Sequence, residues 1–146
     1  MNAISQKWLR SGAALAVTLG ILVGCQSMSP MMAQQITLSG SNEVPPVTTT
    51  ASGTATVAID ADRSVRVTVT ATGMTATASH IHEGAAGANG PVIVPFTKTG
   101  DNTFASPDGA KLTEAQYASY KAGNLYVNVH SAKNPGGEIR AQIKGN

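Results

Sequence analysis

Short runs in which apolar and polar residues alternate, separated by turn residues, constrain the fold of this chain most strongly. Within 63–71, every second residue from Val65 to Ala71 is apolar, and the residues between them are Arg66 and two threonines. A period of two places alternate side chains on opposite faces of an extended strand. The same pattern, rich in the Val, Ile and Thr that strands prefer, predicts seven strands. They cover residues 36–39, 53–60, 63–71, 77–82, 92–96, 124–130 and 138–144.

Turn residues between these segments predict how the strands connect. The Asp-Ala-Asp sequence at 60–62 predicts a tight hairpin, and the Asn-Pro-Gly-Gly sequence at 134–137 predicts another. Many short strands separated by Gly, Pro and Asn are typical of antiparallel all-β domains. The sequence therefore predicts an all-β fold, an antiparallel Ig-like or Greek-key sandwich or barrel.

One segment breaks this pattern and predicts a short helix near residues 114–122. Thr113 and Gln116 have the spacing of a capping box, in which two side chains satisfy free N–H groups at the start of a helix. Gly123 follows as a typical helix stop. We expect this helix to cross one end of the β-structure in a structural role.

The first 24 residues have the features of a signal peptide. Lys7 and Arg10 precede a mostly apolar run over 13–23, and a small residue follows it. The run is shorter than the roughly 20 apolar residues that a transmembrane helix needs. We therefore expect residues 1–24 to be removed and the folded domain to occupy residues 35–146.

The only cysteine of the chain, Cys25, follows directly after this segment. The sequence Leu-Val-Gly-Cys at 22–25 resembles the lipobox of bacterial lipoproteins, in which the cysteine receives lipid. The resemblance implies a lipidated N-terminus and flexible tether over 25–34, with the bilayer as a partner. Gln26 after the cysteine implies the outer membrane of a Gram-negative bacterium. The alternative is an ordinary secretory signal followed by an incidental cysteine.

The charge balance argues against a nucleic-acid binder. Lys7 and Arg10 belong to the predicted signal peptide, so residues 25–146 carry eight basic and eight acidic side chains. Nucleic-acid-binding domains usually carry a basic stripe, and this sequence has none.

The sequence also lacks a Walker loop, a dinucleotide fingerprint and a Gly-x-Ser-x-Gly motif. These features favour a role other than catalysis.

The three histidines are the strongest chemical signal in the sequence. His80 and His82 share one face of a predicted strand, opposite Ile81, and His130 lies at the end of another strand, off its apolar face. Residues two apart on a strand are about 6–7 Å apart, which lets two imidazoles converge on one ion. If the two strands are near neighbours, three imidazoles meet. Neutral imidazoles suit copper or zinc, and we expect copper first, because an exported protein meets copper more readily than a cytosolic one.

Two carboxylates are candidates for orienting these imidazoles through hydrogen bonds. Glu83 follows His82 directly, and Glu138 begins the strand after that of His130. The alternative for Glu83 is an ordinary surface carboxylate. The alternative for the whole cluster is a set of exposed histidines at strand ends that hold no metal.

Two adjacent prolines stiffen the segment 42–46, Asn-Glu-Val-Pro-Pro. Proline fixes its own φ and restricts the residue before it, so the segment is expected to be extended. Glu43 within this segment is expected to pair with Arg66 or Arg140 in a buried network, which is a structural role.

Three segments, in order along the chain, resemble the CHRD domain, a family named for its occurrence in chordin. They are residues 38–47, residues 79–84 with 90–92, and residues 125–131 with 134–140. The resemblance implies an Ig-like or barrel-like β domain, often found in secreted or lipid-anchored bacterial proteins. It implies little about biochemical role, because the role of the family is poorly defined.

A local resemblance links the histidines to copper/zinc superoxide dismutase, which has a His-x-His-Glu strand and a later Val-x-Val-His strand on a Greek-key barrel. His80, His82 and His130 resemble the copper-ligand positions of that family. The sequence has no fourth histidine for the bridging position, no histidines of a zinc loop and no disulfide pair. The resemblance therefore supports a copper site more than dismutase activity.

The leading hypothesis is a lipid-anchored envelope protein that captures metal, copper before zinc, through His80, His82 and His130. Copper-handling or other envelope proteins are its expected protein partners. One alternative is a metal-free adhesion or structural module of the envelope. A second alternative is a small copper redox enzyme of the dismutase type.

Overall fold

The computed structural model describes residues 33–146, so the predicted signal peptide, Cys25 and nearly all of the tether lie outside the described residues. Each of the seven predicted strands is present. Two further short strands, between residues 97 and 105, were not predicted. The elements are β1 (Gln34–Ser39), β2 (Ser52–Ile59), β3 (Val65–Thr72), β4 (Ala76–Glu83), β5 (Val92–Pro95), β6 (Thr97–Gly100), β7 (Thr103–Ala105), α1 (Glu114–Lys121), β8 (Leu125–Ser131) and β9 (Ile139–Ile143).

All nine strands belong to one antiparallel sheet that nearly closes into a barrel. Its strand order is β5-β4-β8-β9-β1-β2-β3-β7-β6. The two edge strands, β5 and β6, are joined by a single residue, Phe96, whose N–H donates to the carbonyl of Ser79 at 3.1 Å. Lys98 on β6 also donates to the carbonyl of Ala76 on β4 at 2.9 Å. The predicted antiparallel all-β fold is confirmed, in its barrel form.

The barrel interior is filled by the apolar residues of the alternating pattern. In β3, Val65, Val67, Val69 and Ala71 are buried, and the residues between them are exposed. Burying one such valine contributes roughly 1.5–3 kcal/mol to stability. The outer faces of the strands are left for polar side chains, and the histidines lie on such a face.

The predicted helix is present as α1. The Thr113 hydroxyl accepts from the Gln116 N–H, and the Gln116 side chain accepts from the Thr113 N–H at 2.8 Å, so the capping box is formed. Gly123, with φ of +76°, follows the helix end. Tyr120 fixes the helix to the core, since only 1% of it is exposed. No helix within residues 33–146 has the length and apolar character needed to cross a membrane.

Both predicted hairpins are formed. Residues 60–64 join β2 to β3, and residues 132–138 join β8 to β9. In the second turn the N–H of Gly137 donates to the carbonyl of Asn134 at 3.1 Å. This turn brings Pro135 back beside His130, which matters for the site described next.

Candidate metal centre

The strand pairing places the three histidines on one patch of the outer face. Strands β4 and β8 are antiparallel neighbours, with His80 opposite Asn128 and Ala78 opposite His130. Ile81 and Val129, which alternate with the histidines, are fully buried in the barrel. The two strands that carry histidine are therefore adjacent, which is the condition that the sequence left open.

The three imidazoles are close enough to share one ion. Nδ1 of His80 lies 3.0 Å from Nε2 of His130, and one nitrogen from each of the three rings lies within 4.8 Å of the others. The ring centroid of His80 lies 5.5 Å from that of His82 and 4.8 Å from that of His130. Two nitrogens bound to one zinc or copper ion at about 2.0–2.1 Å lie about 2.9–3.4 Å apart. The His80–His130 pair has this separation, and the nitrogens, which lie within 4.8 Å of one another, have to move closer for all three to bind one ion.

Backbone carbonyls fix which nitrogen each of two rings presents. Nδ1–H of His82 donates to the carbonyl of Gly90, and Nδ1–H of His130 donates to the carbonyl of Pro135, each at 2.9 Å. Because a carbonyl can only accept, the neutral rings keep an unshared electron pair on Nε2. Metal-binding histidines are usually held in this way, with the second nitrogen bound to a carbonyl or carboxylate.

The electrostatics of the site keep the rings of His80 and His82 neutral. Burial, and to a smaller extent the neighbouring rings of His130 and His82, lower the pKa of His80 to about 4. Burial also lowers the pKa of His82, although the hydrogen bond to Gly90 and the nearby amide of Asn128 oppose the shift. The neutral imidazole is the form that binds a metal ion, so both rings are in the binding form at neutral pH.

The ring of His82 stacks on Tyr126, which in turn stacks on the guanidinium of Arg140. The Tyr126 ring lies parallel to the His82 ring, at 7° and 4.8 Å between centroids, and the guanidinium carbon of Arg140 lies 3.4 Å from the Tyr126 centroid. Arg140 donates to the carbonyl of Ala88 at 2.8 Å and to Asn89 Oδ1 at 3.2 Å. It therefore holds the loop after β4, whose Gly90 carbonyl orients His82.

A comparison with known protein families gives one match, and it includes all three histidines. A family model described as the CHRD domain matches residues 34–143. The chain belongs to the CHRD domain family. The resemblance predicted from the sequence is thus confirmed. No curated protein and no solved structure matches this chain.

The three segments that carry the CHRD resemblance meet at this face of the barrel. The segment 79–84 supplies two histidines, and its companion 90–92 begins with the carbonyl that holds His82. The segment 125–131 ends near His130, and its companion 134–140 supplies the carbonyl of Pro135. In this CHRD domain the family segments therefore build one site.

The two predicted orienting carboxylates lie elsewhere. Glu83 accepts a hydrogen bond from the Ser119 hydroxyl of helix α1. Glu138 accepts from the hydroxyls of Thr49 and Ser131. Among the described residues, neither carboxylate has a hydrogen bond to an imidazole. In this CHRD domain the backbone carbonyls of two proline-containing turns orient the rings, and alternating side-chain patterns give no signal for them.

The first family segment contributes a buried carboxylate, Glu43, which lies next to Gly137 and near Asn128. Glu43 is 5% exposed, and burial raises its pKa to about 7, although the charge of Arg140 opposes the shift. Arg66 pairs instead with Asp60 at 2.7 Å. Of the two predicted partners of Glu43, Arg140 is therefore the one that acts on it.

Gly137 makes the space in which Glu43 lies. A Cβ at this position would lie 2.7 Å from Oε1 and 2.9 Å from Oε2 of Glu43, and 2.9 Å from Nδ2 of Asn128. Its φ of +131° also favours glycine. The glycine at the end of the Asn-Pro-Gly-Gly turn therefore lets the carboxylate and the Asn128 amide approach each other.

Asn128 is the residue of this site that the sequence did not single out. It is 1% exposed and lies on the same face as Tyr126 and His130. Among residues 33–146, four buried side-chain atoms have no hydrogen-bond partner, and three of them are at this face: Glu43 Oε1, His82 Nε2 and Asn128 Oδ1. The signal in the sequence was the position of Asn128 between Tyr126 and His130, on the non-apolar face of the alternating pattern of β8.

Proposed function

We propose that this CHRD domain protein captures a metal ion, copper in the first place, through His80, His82 and His130. The observation that carries the proposal is the arrangement of ring nitrogens. The rings of His82 and His130 each have Nδ1–H bound to a carbonyl, which leaves the electron pair on Nε2. Nε2 of His82 has no partner, and Nε2 of His130 accepts from Nδ1 of His80 at 3.0 Å. An isolated set of surface histidines has no reason to be oriented in this way.

Binding also needs a change of tautomer within the protein. In the metal-free state His130 can only accept at Nε2, since its Nδ1–H is used, so His80 donates to it from Nδ1. To offer Nδ1 to an ion, His80 has to carry its proton on Nε2 instead. His80 and His130 are half-buried, so solvent can exchange this proton and an ion can enter from outside.

Copper is favoured over zinc by the chemistry of the donors. Imidazole binds both ions, and affinity for a given nitrogen site rises towards Cu(II) along the first-row series and falls again at Zn(II). The ion itself would supply a Lewis-acidic and, for copper, redox-active centre. Capture and transfer to another protein need only that the three imidazoles compete with other ligands of the envelope.

The proposal includes the place of the protein in the cell. The signal-peptide pattern of residues 1–24 and the lipobox at Cys25 support export and lipid anchoring. Gln26 supports the outer membrane of a Gram-negative bacterium. The bilayer would then be one partner, and copper-handling or other envelope proteins would receive or deliver the ion.

A copper titration tests the proposal. The intact protein, purified in detergent, is titrated with Cu(II) by calorimetry, and the complex is examined by electron spin resonance. We expect one tight equivalent with nitrogen hyperfine structure, lost in His80→Ala and His82→Ala. The matched control is Thr70→Ala, an exposed substitution on the outer face of β3.

The two alternatives correspond to other outcomes. Weak, non-stoichiometric binding that is unchanged in His80→Ala would refute the metal site and favour a metal-free adhesion or structural module. Superoxide turnover by the copper-loaded protein, lost in the same variants, would favour the dismutase-like alternative.

A further inference from the structure

The side chain of Asn128 occupies the centre of the histidine patch. It lies directly opposite His80 across the β4–β8 pair and two residues before His130 on the same face. It is 1% exposed, so solvent does not satisfy its amide. A buried amide without partners costs free energy, and its retention at this position calls for a binding partner.

The neighbours of Asn128 determine which end of its amide faces the histidines. Nδ2 of Asn128 and both carboxylate oxygens of Glu43 lie within 2.9 Å of the point that a Cβ of Gly137 would occupy. Nδ2 is thus the amide atom on the side of Glu43, and the ionised form of that carboxylate, which only accepts, favours this orientation. Oδ1 therefore faces away from Glu43, towards the imidazoles.

Two buried electron pairs then face one region. With His82 neutral, Oδ1 of Asn128 has no hydrogen-bond partner among the described residues, and neither has Nε2 of His82, whose Nδ1–H is already used by Gly90. The Asn128 amide stabilises only the protonated ring of His82, whose pKa it raises. Two acceptors cannot bond to each other, and a cation satisfies both. We propose that Oδ1 of Asn128 is the fourth donor of the metal site, an inference that rests on the proposed function.

This assignment changes the chemistry expected of the site. Three imidazole nitrogens and one amide oxygen form a harder donor set than sites built from thiolate or thioether, which select Cu(I). The site should therefore prefer divalent ions, Cu(II) above Zn(II), and bind Cu(I) weakly. Glu43 acts as a positioning residue, because its ionised carboxylate lies on the Nδ2 side of the amide and favours the orientation with the oxygen towards the ion.

The first test removes the amide oxygen. In the intact protein, Asn128→Leu should weaken Cu(II) binding by about tenfold or more, while the nitrogen hyperfine pattern of three imidazoles is kept. The matched control is Gln142→Leu, which removes an amide from the neighbouring strand β9, where it serves only the carbonyls of Gly84 and Gly123. Affinity in this control should stay at the parent value.

The second test detects direct contact and remains valid if the leucine variant does not fold. Asn128→Cys, loaded with Co(II), should show a thiolate-to-cobalt charge-transfer band, because a donor at this position reaches the ion. The parent protein, with its own Cys25, and Gln142→Cys should not show the band.

The outcomes separate the two proposals. Parent-like affinity in Asn128→Leu, or no charge-transfer band in Asn128→Cys, overturns the assignment of Asn128, whereas the three-histidine site stands if the parent binds one Cu(II). Failure of the parent to bind Cu(II) overturns both.

Discussion

Replacing Gly137 with alanine should damage both the stability of the barrel and the metal site. The added Cβ would lie 2.7 Å from Oε1 of Glu43 and 2.9 Å from Nδ2 of Asn128, closer than real Cβ atoms approach other atoms. Both neighbours are at least 95% buried and so cannot swing into solvent. The φ of +131° is also a conformation that side chains other than glycine rarely adopt.

The size of the effect follows from these two terms. Overpacking a well-packed region costs about 1–3 kcal/mol, and a strained backbone conformation costs about 1–3 kcal/mol. We expect Gly137→Ala to lower the free energy of unfolding by about 3 kcal/mol and the Tm by roughly 10 °C. Urea and thermal unfolding of the metal-free protein measure both quantities, and the displaced amide should also weaken Cu(II) binding.

The preceding residue supplies a matched control. A Cβ at Gly136 would meet no atom within 4 Å, and its φ lies outside the positive range. Gly136→Ala should therefore change the free energy of unfolding by less than about 1 kcal/mol. Equal stability of the two alanine variants would refute the argument that Gly137 makes room for Glu43 and Asn128.

Further outcomes are expected from pH, metal and the helix cap. The pKa of His80 in the folded, metal-free protein is lowered to about 4, so the folded state loses stability as the pH falls from 6.5 towards 4. Urea unfolding at each pH should show a loss of about 1–3 kcal/mol relative to His80→Gln. The pKa of Glu43 is raised to about 7, so the parent loses stability as the pH rises from 4.5 to above 7. Glu43→Gln lacks this carboxyl and should gain about 2 kcal/mol of stability relative to the parent over the same range. Free Cu(II) at about 100 times its Kd should stabilise the parent by about 2.7 kcal/mol in thermal unfolding, and should not stabilise His82→Ala. Thr113→Ala should lower stability by about 1 kcal/mol through loss of the capping box and leave Cu(II) affinity unchanged, as measured by calorimetry.

Most of the fold was predictable because each long strand carries its own pattern. The alternation in β3 and the capping box of α1 are local signals, and the structure follows both. The strands β6 and β7 have no such signal, since they are four and three residues long and β6 is exposed throughout. They were missed, although they bring the edges of the barrel together.

Of the candidate site, the sequence predicted the three histidines and little of what surrounds them. The spacing of His80 and His82 shows that they share a face, but the pairing of β4 with β8 depends on contacts between residues about 50 positions apart, which a local pattern does not contain. The carbonyls of Gly90 and Pro135 that orient the rings are backbone groups, so they cannot be predicted from the type of side chain. Arg140 sits on the outer face of β9 and is buried because the loop after β4 covers it.

The cost of this polar cluster is the strongest physical argument that it binds something. An unsatisfied buried donor or acceptor costs about 1–3 kcal/mol, and three of the four such atoms within residues 33–146 belong to His82, Asn128 and Glu43. The fourth, Oδ1 of Asp60, belongs to a carboxylate that is ion-paired through its other oxygen. Glu43 Oε1 is partly compensated by the nearby charge of Arg140. The remaining two atoms, Nε2 of His82 and Oδ1 of Asn128, are both electron-pair donors, and a single bound cation offsets both costs at once.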